Sequence, residues 1–163
     1  MSNSVRTCLT FKDRAEEAVN LYVSIFPNSK ITHITRVEDD GGPIPKGKLL
    51  VAIFELDGQE FRAFDGGETF TFNEGISLDV TCKSQAEVDK YWTALIANGG
   101  EESQCGWLKD RFGVSWQIIP EQLGQMLSDL EHGNSEAAMQ AMLKMKKIDI
   151  AELEKAYHGA RVA

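Results

Sequence analysis

The chain has 163 residues, 25 of them acidic and 17 basic, for a formal charge of −8. That length suits one domain with a real hydrophobic core, and the acidic balance, with no basic run against it, argues against a nucleic-acid partner. No apolar stretch approaches a membrane span and Met1-Ser-Asn-Ser lacks a basic-then-apolar leader, so a cytoplasmic protein with no membrane partner is expected.

Val5 to Phe11 alternates, with Val5, Leu9 and Phe11 on one face and Arg6, Cys8 and Thr10 on the other, which predicts a half-buried strand. Asp13 is the expected N-cap of a helix in which Ala15, Ala18, Val19, Tyr22 and Ile25 recur at helical spacing, and Pro27-Asn28 ends it. Lys30 to Glu38 reads as a strand. Asp39 to Gly47, with three glycines and two prolines, reads as a loop. Lys48 to Leu56 and Gln59 to Phe64 flank Asp57-Gly58, the strongest hairpin signal in the chain.

The pattern then begins again. Ile76, Leu78, Val80 and Cys82 alternate with Ser77, Asp79 and Thr81, Ser84 caps a helix to about Asn98, and Gly99-Gly100 ends it. In Cys105 to Pro120, CGWLKDRFGVSWQIIP, a short strand turns through Asp110 to Gly113 into a second strand. Ser115, Gln117 and Ile119 share one face of that strand, and Val114, Trp116 and Ile118 the other.

Lys12-x-x-Ala15-Glu16 recurs 71 residues later as Lys83-x-x-Ala86-Glu87, and the strand-helix-strand-strand-strand order recurs with it. The two hairpins correspond as well, Arg62 standing four residues past Gly58 and Gln117 four past Gly113. The expected fold is α+β: duplicated βαβββ units, about 1–70 and 71–120, forming a curved mixed sheet around a cleft, with the helices on its outer face. Residues 1–120 make one domain on this reading. Residues 121–163 add C-terminal helices at Glu121 to Glu131, Ser135 to Lys146 and Ile150 to Ala160, with Asp149 as an N-cap, either in the same domain or at a dimer contact. Met126, Met139, Met142 and Met145 read as core or interface packing rather than a ligand groove.

Three cysteines, Cys8, Cys82 and Cys105, with no CxxC and no nearby histidine, argue against a disulfide framework or structural zinc and for reduced, partly buried thiols. Strand parity gathers Arg6, Cys8, Thr10, Arg62, Ser77, Asp79, Thr81, Ser115 and Gln117 on the cleft face. Guanidinium groups bind carboxylate or phosphate in bidentate fashion, so Arg6 and Arg62 suit a small anionic or carbonyl-bearing ligand. Neutralisation of both by Asp79 and Glu60 in a structural network is the competing reading. Cys8 as a nucleophile lacks a histidine base, Asp79 as a general base would have to be buried away from the arginines, and Trp107 and Trp116 are candidate stacking partners, with Trp116 on the core-facing parity.

The duplicated plan, the DRFGVSWQIIP strand and the tail AMLKMKKIDIAELEKAY resemble the PhnB-like family, some members of which carry a demethylubiquinone methyltransferase label. That family is part of the vicinal-oxygen-chelate superfamily of glyoxalases, dioxygenases, fosfomycin resistance enzymes and bleomycin resistance proteins. The resemblance implies a divalent metal held from the first and last strands of each unit, at positions that fall here on Arg6, Arg62, Ser77 and Gln117. Arginine has no lone pair to offer a cation, serine is a weak ligand, and Gln117 stands where metal-binding relatives usually carry Glu. His33, His132 and His158 lie off these positions. The expectation is therefore no metal and no cofactor, and no glycine-rich loop opens a helix as nucleotide-type cofactor sites require.

Three functions follow as alternatives. One is a metal-free small-molecule-binding protein of bleomycin-resistance type. Another is a metal-dependent lyase, dioxygenase or transferase of the superfamily, and the last a structural or oligomeric protein without ligand. A homodimer is expected from the resemblance and the apolar tail helices.

Overall fold

The computed structural model describes residues 5–39 and 42–159; the Met1 to Ser4 terminus, Asp40-Gly41 of the predicted loop and Ala160 of the last predicted helix lie outside them. The chain divides into two compact units, Met1–Phe72 and Asn73–Ala163.

In the first unit β1 (Thr7–Phe11) leads into α1 (Ala15–Ile25), then β2 (Lys30–Arg36), β3 (Leu49–Leu56) and β4 (Gln59–Asp65). Its sheet runs β1-β4-β3-β2, with β1 parallel to β4 and the other pairs antiparallel. A helix between β1 and the later strands makes the parallel pairing reachable. Asp57 (φ 46°) and Gly58 (φ 79°) form the two-residue turn between β3 and β4, the doubly left-handed turn that Asp-Gly favours.

The second unit repeats this plan with β5 (Leu78–Cys82), α2 (Gln85–Ile96), β6 (Glu101–Glu102), β7 (Trp107–Lys109) and β8 (Ser115–Pro120), ordered β5-β8-β7-β6. The offset of 71 carries Thr7–Phe11 onto Leu78–Cys82 and Ile25 onto Ile96. Register confirms the hairpin correspondence, since Cys8 pairs with Arg62 across β1–β4 and Asp79 with Gln117 across β5–β8. Each unit is a βαβββ element of an α+β protein, and the second is shortened in its outer strands.

Each helix packs its apolar stripe on one face of its own sheet. Ala15, Ala18, Val19, Tyr22 and Ile25 are buried in α1 with Leu9, Phe11, Phe54, Phe61 and Ala63, and Val88, Trp92 and Leu95 in α2 with Leu108, Trp116 and Ile118. Val5 and Ile76 do not join these cores. They are 84% and 76% exposed, because both precede the first paired residues of their strands. The start of α1 also differs from expectation. Arg14, not Asp13, is the N-cap residue and makes no side-chain cap bond, while the Ala15 amide donates to Asp65 Oδ1 at 2.7 Å. A carboxylate from the end of β4 thus satisfies the first turn. In α2 and α5 the caps are local as predicted, with Ser84 accepting from the Glu87 amide and Asp149 from the Glu152 amide.

The Asp110–Gly113 turn is built differently from a turn of left-handed residues. Gly113 supplies the positive φ (89°), while Asp110, 3% exposed, turns its carboxylate inward. Oδ1 accepts the Phe112 and Val114 amides at 2.9 and 3.0 Å, and Oδ2 accepts Trp116 Nε1 at 2.9 Å.

The C-terminal helices α3 (Glu121–Ser128), α4 (Ser135–Met142) and α5 (Ile150–His158) belong to the second unit. Leu123, Met126, Ala138, Ile148, Leu153 and Tyr157 form their core, with Ile119, Met142 and Met145 against it. Met139 is exposed. Backbone bonds tie the tail down: the Cys105 and Gly106 amides donate to the Met145 and Lys146 carbonyls at 2.8 and 2.7 Å. Gln85 of α2 donates to the Ile148 carbonyl and accepts from the Ile150 amide. At the far end, Tyr157 donates its hydroxyl to Asp129 Oδ2 at 2.7 Å, and Gly133 lies against the Tyr157 ring so closely that a Cβ there would sit 2.0 Å from it.

Two predictions test this frame. Asp110→Ala leaves buried donors without their acceptor and is expected to cost about 3 kcal/mol in urea unfolding, with Asp110→Asn losing less because it keeps one carbonyl oxygen. The Tyr157 hydroxyl and the His132 amide hold the Asp129 carboxyl below its ordinary value of 3.8. A carboxyl depressed in the folded state stabilises the fold above its unfolded value and loses that contribution as pH falls through the folded one. Unfolding followed by circular dichroism below pH 3.8 is expected to show this acid loss in the wild type and a smaller one in Tyr157→Phe.

Candidate functional site

In the first unit, Cys8 of β1, Arg62 of β4 and Val5 and Arg6 just before β1 line an open depression of about 470 Å³. Alternation explains the grouping. Leu9 and Phe61 turn into the core, so Cys8 and Arg62, paired in register, turn the other way. Arg6 is occupied by an ion pair from Nη1 to Glu60 Oε1 at 2.6 Å, with side chains 31% and 43% exposed. Arg62 is exposed and makes no ion pair with any described residue. The predicted neutralisation by Glu60 therefore reaches Arg6 and stops there. Thr10 is spent otherwise, its methyl against Gly66, where a Cβ would stand 2.5 Å from it.

In the second unit the corresponding positions are differently used. Gln117 Nε2 donates to Ser77 Oγ at 2.8 Å, so the two candidate ligand positions satisfy each other. Asp79 and Thr81 are exposed, which removes the burial that general-base chemistry by Asp79 would need. Ser115 is 1% exposed and its Oγ has no hydrogen-bond partner. It lines a second cavity of about 170 Å³ with Trp107, Lys109, Glu74 and Glu101. The sequence reading did not select Lys109, Glu74 or Glu101, although counting back across the Asp110–Gly113 turn pairs Lys109 with Ser115. Trp116 is buried with its indole N–H on Asp110 and is not available for stacking.

The thiols separate sharply. Cys8 is exposed at the depression, a correction to the expectation of partly buried thiols, and Cys105 is half-buried. Burial pushes the Cys82 thiol up to about 12, with Glu87 and Asp79 adding to it. None of the three histidines lines the depression beside Cys8.

A family model described as 3-demethylubiquinone-9 3-methyltransferase matches residues 3–119. The chain belongs to this family. A PhnB protein from Bacillus cereus is 38% identical, over 72% of this chain and 99% of its own, with a TM-score of 0.67. A protein from Pseudomonas aeruginosa is 23% identical over 74% and 98% of the two chains, with a TM-score of 0.60. A fosfomycin resistance protein, FosX, from Listeria monocytogenes, solved with Mn(II) and sulfate, shares the fold at 18% identity over 78% and 99%, with a TM-score of 0.56. No curated protein matches. The family match ends at residue 119, so α3 to α5 follow it.

The fold relatives raise the question of a metal, and the side chains here do not fit one. Arg6 and Arg62 carry no lone pair for a cation, and Ser77 and Gln117 are neutral and bonded to each other. No cluster of three or more His, Cys, Asp or Glu suited to a metal occurs among the described residues.

A thiol reagent offered to the native protein is expected to modify Cys8 rapidly and Cys82 only after unfolding. Cys8→Ser should remove the fast phase in a time course of absorbance.

Proposed function

We propose that this protein binds a small anionic or carbonyl-bearing ligand on the first unit's sheet face without a metal, through Arg62 with Arg6 beside it. The observation that carries the reading is Arg62 itself, an exposed guanidinium left without an acidic partner among the described residues, at a depression it shares with Arg6 and Cys8. Its planar fork suits a carboxylate or phosphate edge. Arg6, already paired with Glu60, stands beside it at the same depression and leaves Arg62 as the uncompensated cation.

The family's description names a methyl transfer, but the residues of this chain favour binding over that chemistry. The strand-to-helix junctions, Lys12 to Arg14, Lys83 to Ser84 and Pro120 to Glu121, contain no glycine, so none can form the close backbone cradle of a nucleotide-type cofactor. No described helix is long and apolar enough to cross a membrane. A cytoplasmic homodimer completes the proposal, and sedimentation equilibrium tests its oligomeric part.

Calorimetric titration of the full chain with sodium pyruvate and with inorganic phosphate is the test. Saturable binding of at least one is expected, weakened roughly tenfold or more by Arg62→Ala, as loss of a charge-assisted bidentate contact requires, and less by Arg62→Lys. Binding that survives Arg62→Ala unchanged overturns the reading, as does tight stoichiometric metal found by elemental analysis of the purified protein.

A further inference from the structure

Of the six asparagines in the chain, Asn98 alone is followed by glycine. It stands where the second unit turns from α2 into β6. The helix has already ended there, because its C-cap Ala97 is extended (φ −59°, ψ 144°). Asn98 and Gly99 then take positive φ of 61° and 111°, a region that asparagine tolerates and glycine adopts freely. Both residues are exposed, and neither the Asn98 side chain nor the Gly99 N–H makes a hydrogen bond among the described residues.

The other described asparagines are held or hindered. Asn20 lies inside α1. Asn73 Oδ1 accepts the Gly75 amide at 2.8 Å, and Asn134 Oδ1 accepts the Ala137 amide at 3.0 Å. The Asn28 carbonyl accepts the Gly58 amide at 3.2 Å, and Ser29 follows it. At Asn98 it is the two ends of the turn that are fixed. The Gly100 amide donates to the Ile96 carbonyl at 3.0 Å, and a Cβ on Gly100 would stand 2.5 Å from Ile96 Cα and 2.8 Å from the Lys109 carbonyl oxygen. Glu101 and Glu102 pair with Lys109 and Leu108, and Glu102 accepts the indole N–H of Trp92, from α2, at 3.0 Å. An unrestrained side-chain amide thus sits in a turn whose two sides are tied together.

We infer that Asn98 is a site of spontaneous deamidation and that its isoaspartate product loosens β6. The Gly99 nitrogen, with no Cβ beside it to hinder the approach, attacks Asn98 Cγ. The N–Cγ bond forms, the Cγ–Nδ2 bond breaks, and the Gly99 amide proton leaves with Nδ2 as ammonia, giving a cyclic imide. Water then opens the ring. Addition at Cγ yields aspartate, and addition at the former main-chain carbonyl yields isoaspartate, in which the chain runs through the side-chain carbon. Either product places one more negative charge before Glu101 and Glu102. Only isoaspartate adds an atom to the backbone, and a turn pinned at Gly100 and tied from Trp92 to Glu102 has no slack to absorb it. The reaction consumes water alone and does not involve Arg62.

The experiment is prolonged incubation of the full chain at mildly alkaline pH, followed by mass spectrometry with electron-transfer fragmentation, which separates isoaspartate from aspartate. Asn98 is expected to convert at least about tenfold faster than Asn73 or Asn134, whose side chains must first give up a hydrogen bond. The rate should rise with pH, because the attacking nitrogen must lose its proton. Asn98→Gly should abolish the conversion and leave the protein at least as resistant to urea, since glycine holds a positive φ without steric cost. The isoaspartate form, resolved by chromatography, should lose hydrogen-exchange protection at the Trp92 indole N–H, whereas Asn98→Asp, which adds the charge alone, should keep it. The proposal is overturned if Asn98 converts no faster than Asn73 or Asn134, if the isoaspartate form keeps the protection of the wild type, or if Asn98→Asp loses as much of it.

Discussion

The Asp110 carboxylate is the interaction on which the second unit depends. β8 lies between β5 and β7, pairs parallel with the one and antiparallel with the other, and passes directly into α3. Its register is set at its first residues, where Asp110 gathers the Val114 amide and, six residues along, the Trp116 indole. A one-residue slip would turn Trp116 and Ile118 outward and bring Ser115 and Gln117 into the core. The carboxylate opposes that slip, because a shifted strand would leave it buried without these donors. Turn, register and core residue are thereby fixed by one side chain.

The duplication shows how equivalent positions diverge once the frame is secure. Arg62 and Gln117 occupy the same place in the two registers, as do Cys8 and Asp79. In the first unit that place carries an exposed cation, whereas in the second it carries an amide tied to Ser77. The frames tolerate the exchange because these side chains stand on the face opposite the helix and contribute little to the buried core. The end of the first repeat is closed by Asp65 reaching back to the Ala15 amide, and the second uses its own Ser84 for the same task.

Most of this frame is legible in the sequence because it rests on period-two alternation, turn chemistry and a repeat, all of which are local. The two hairpins matched Arg62 with Gln117, and the observed register sets them opposite Cys8 and Asp79, positions the offset of 71 makes equivalent. What was not legible depends on side chains that act over distance. Asp65 as the cap of α1 is 50 residues away from the amide it serves, and nothing in Asp13 betrays that it is displaced. Val5 and Ile76 continue the alternation perfectly, yet parity alone does not say where pairing begins. The face shared by Arg6, Cys8 and Arg62 follows from parity, but Glu60 pairing with Arg6 and not Arg62 is decided by side-chain reach.

Unspent polar groups are more informative here than satisfied ones, and they differ in what their retention costs. Arg62 is exposed, so water solvates its guanidinium and leaving it unpaired costs the fold little. Ser115 is different, because a hydroxyl shut away from solvent and from every acceptor costs on the order of 1–3 kcal/mol, while alanine would fill nearly the same volume without that penalty. The second unit can bear the cost. The tail closes over its β8 end through Ile119, the Cys105 and Gly106 amides bind the tail's backbone, and Gln85 clamps it to α2 from both its amide atoms. A unit reinforced beyond its βαβββ core has stability in reserve for that penalty.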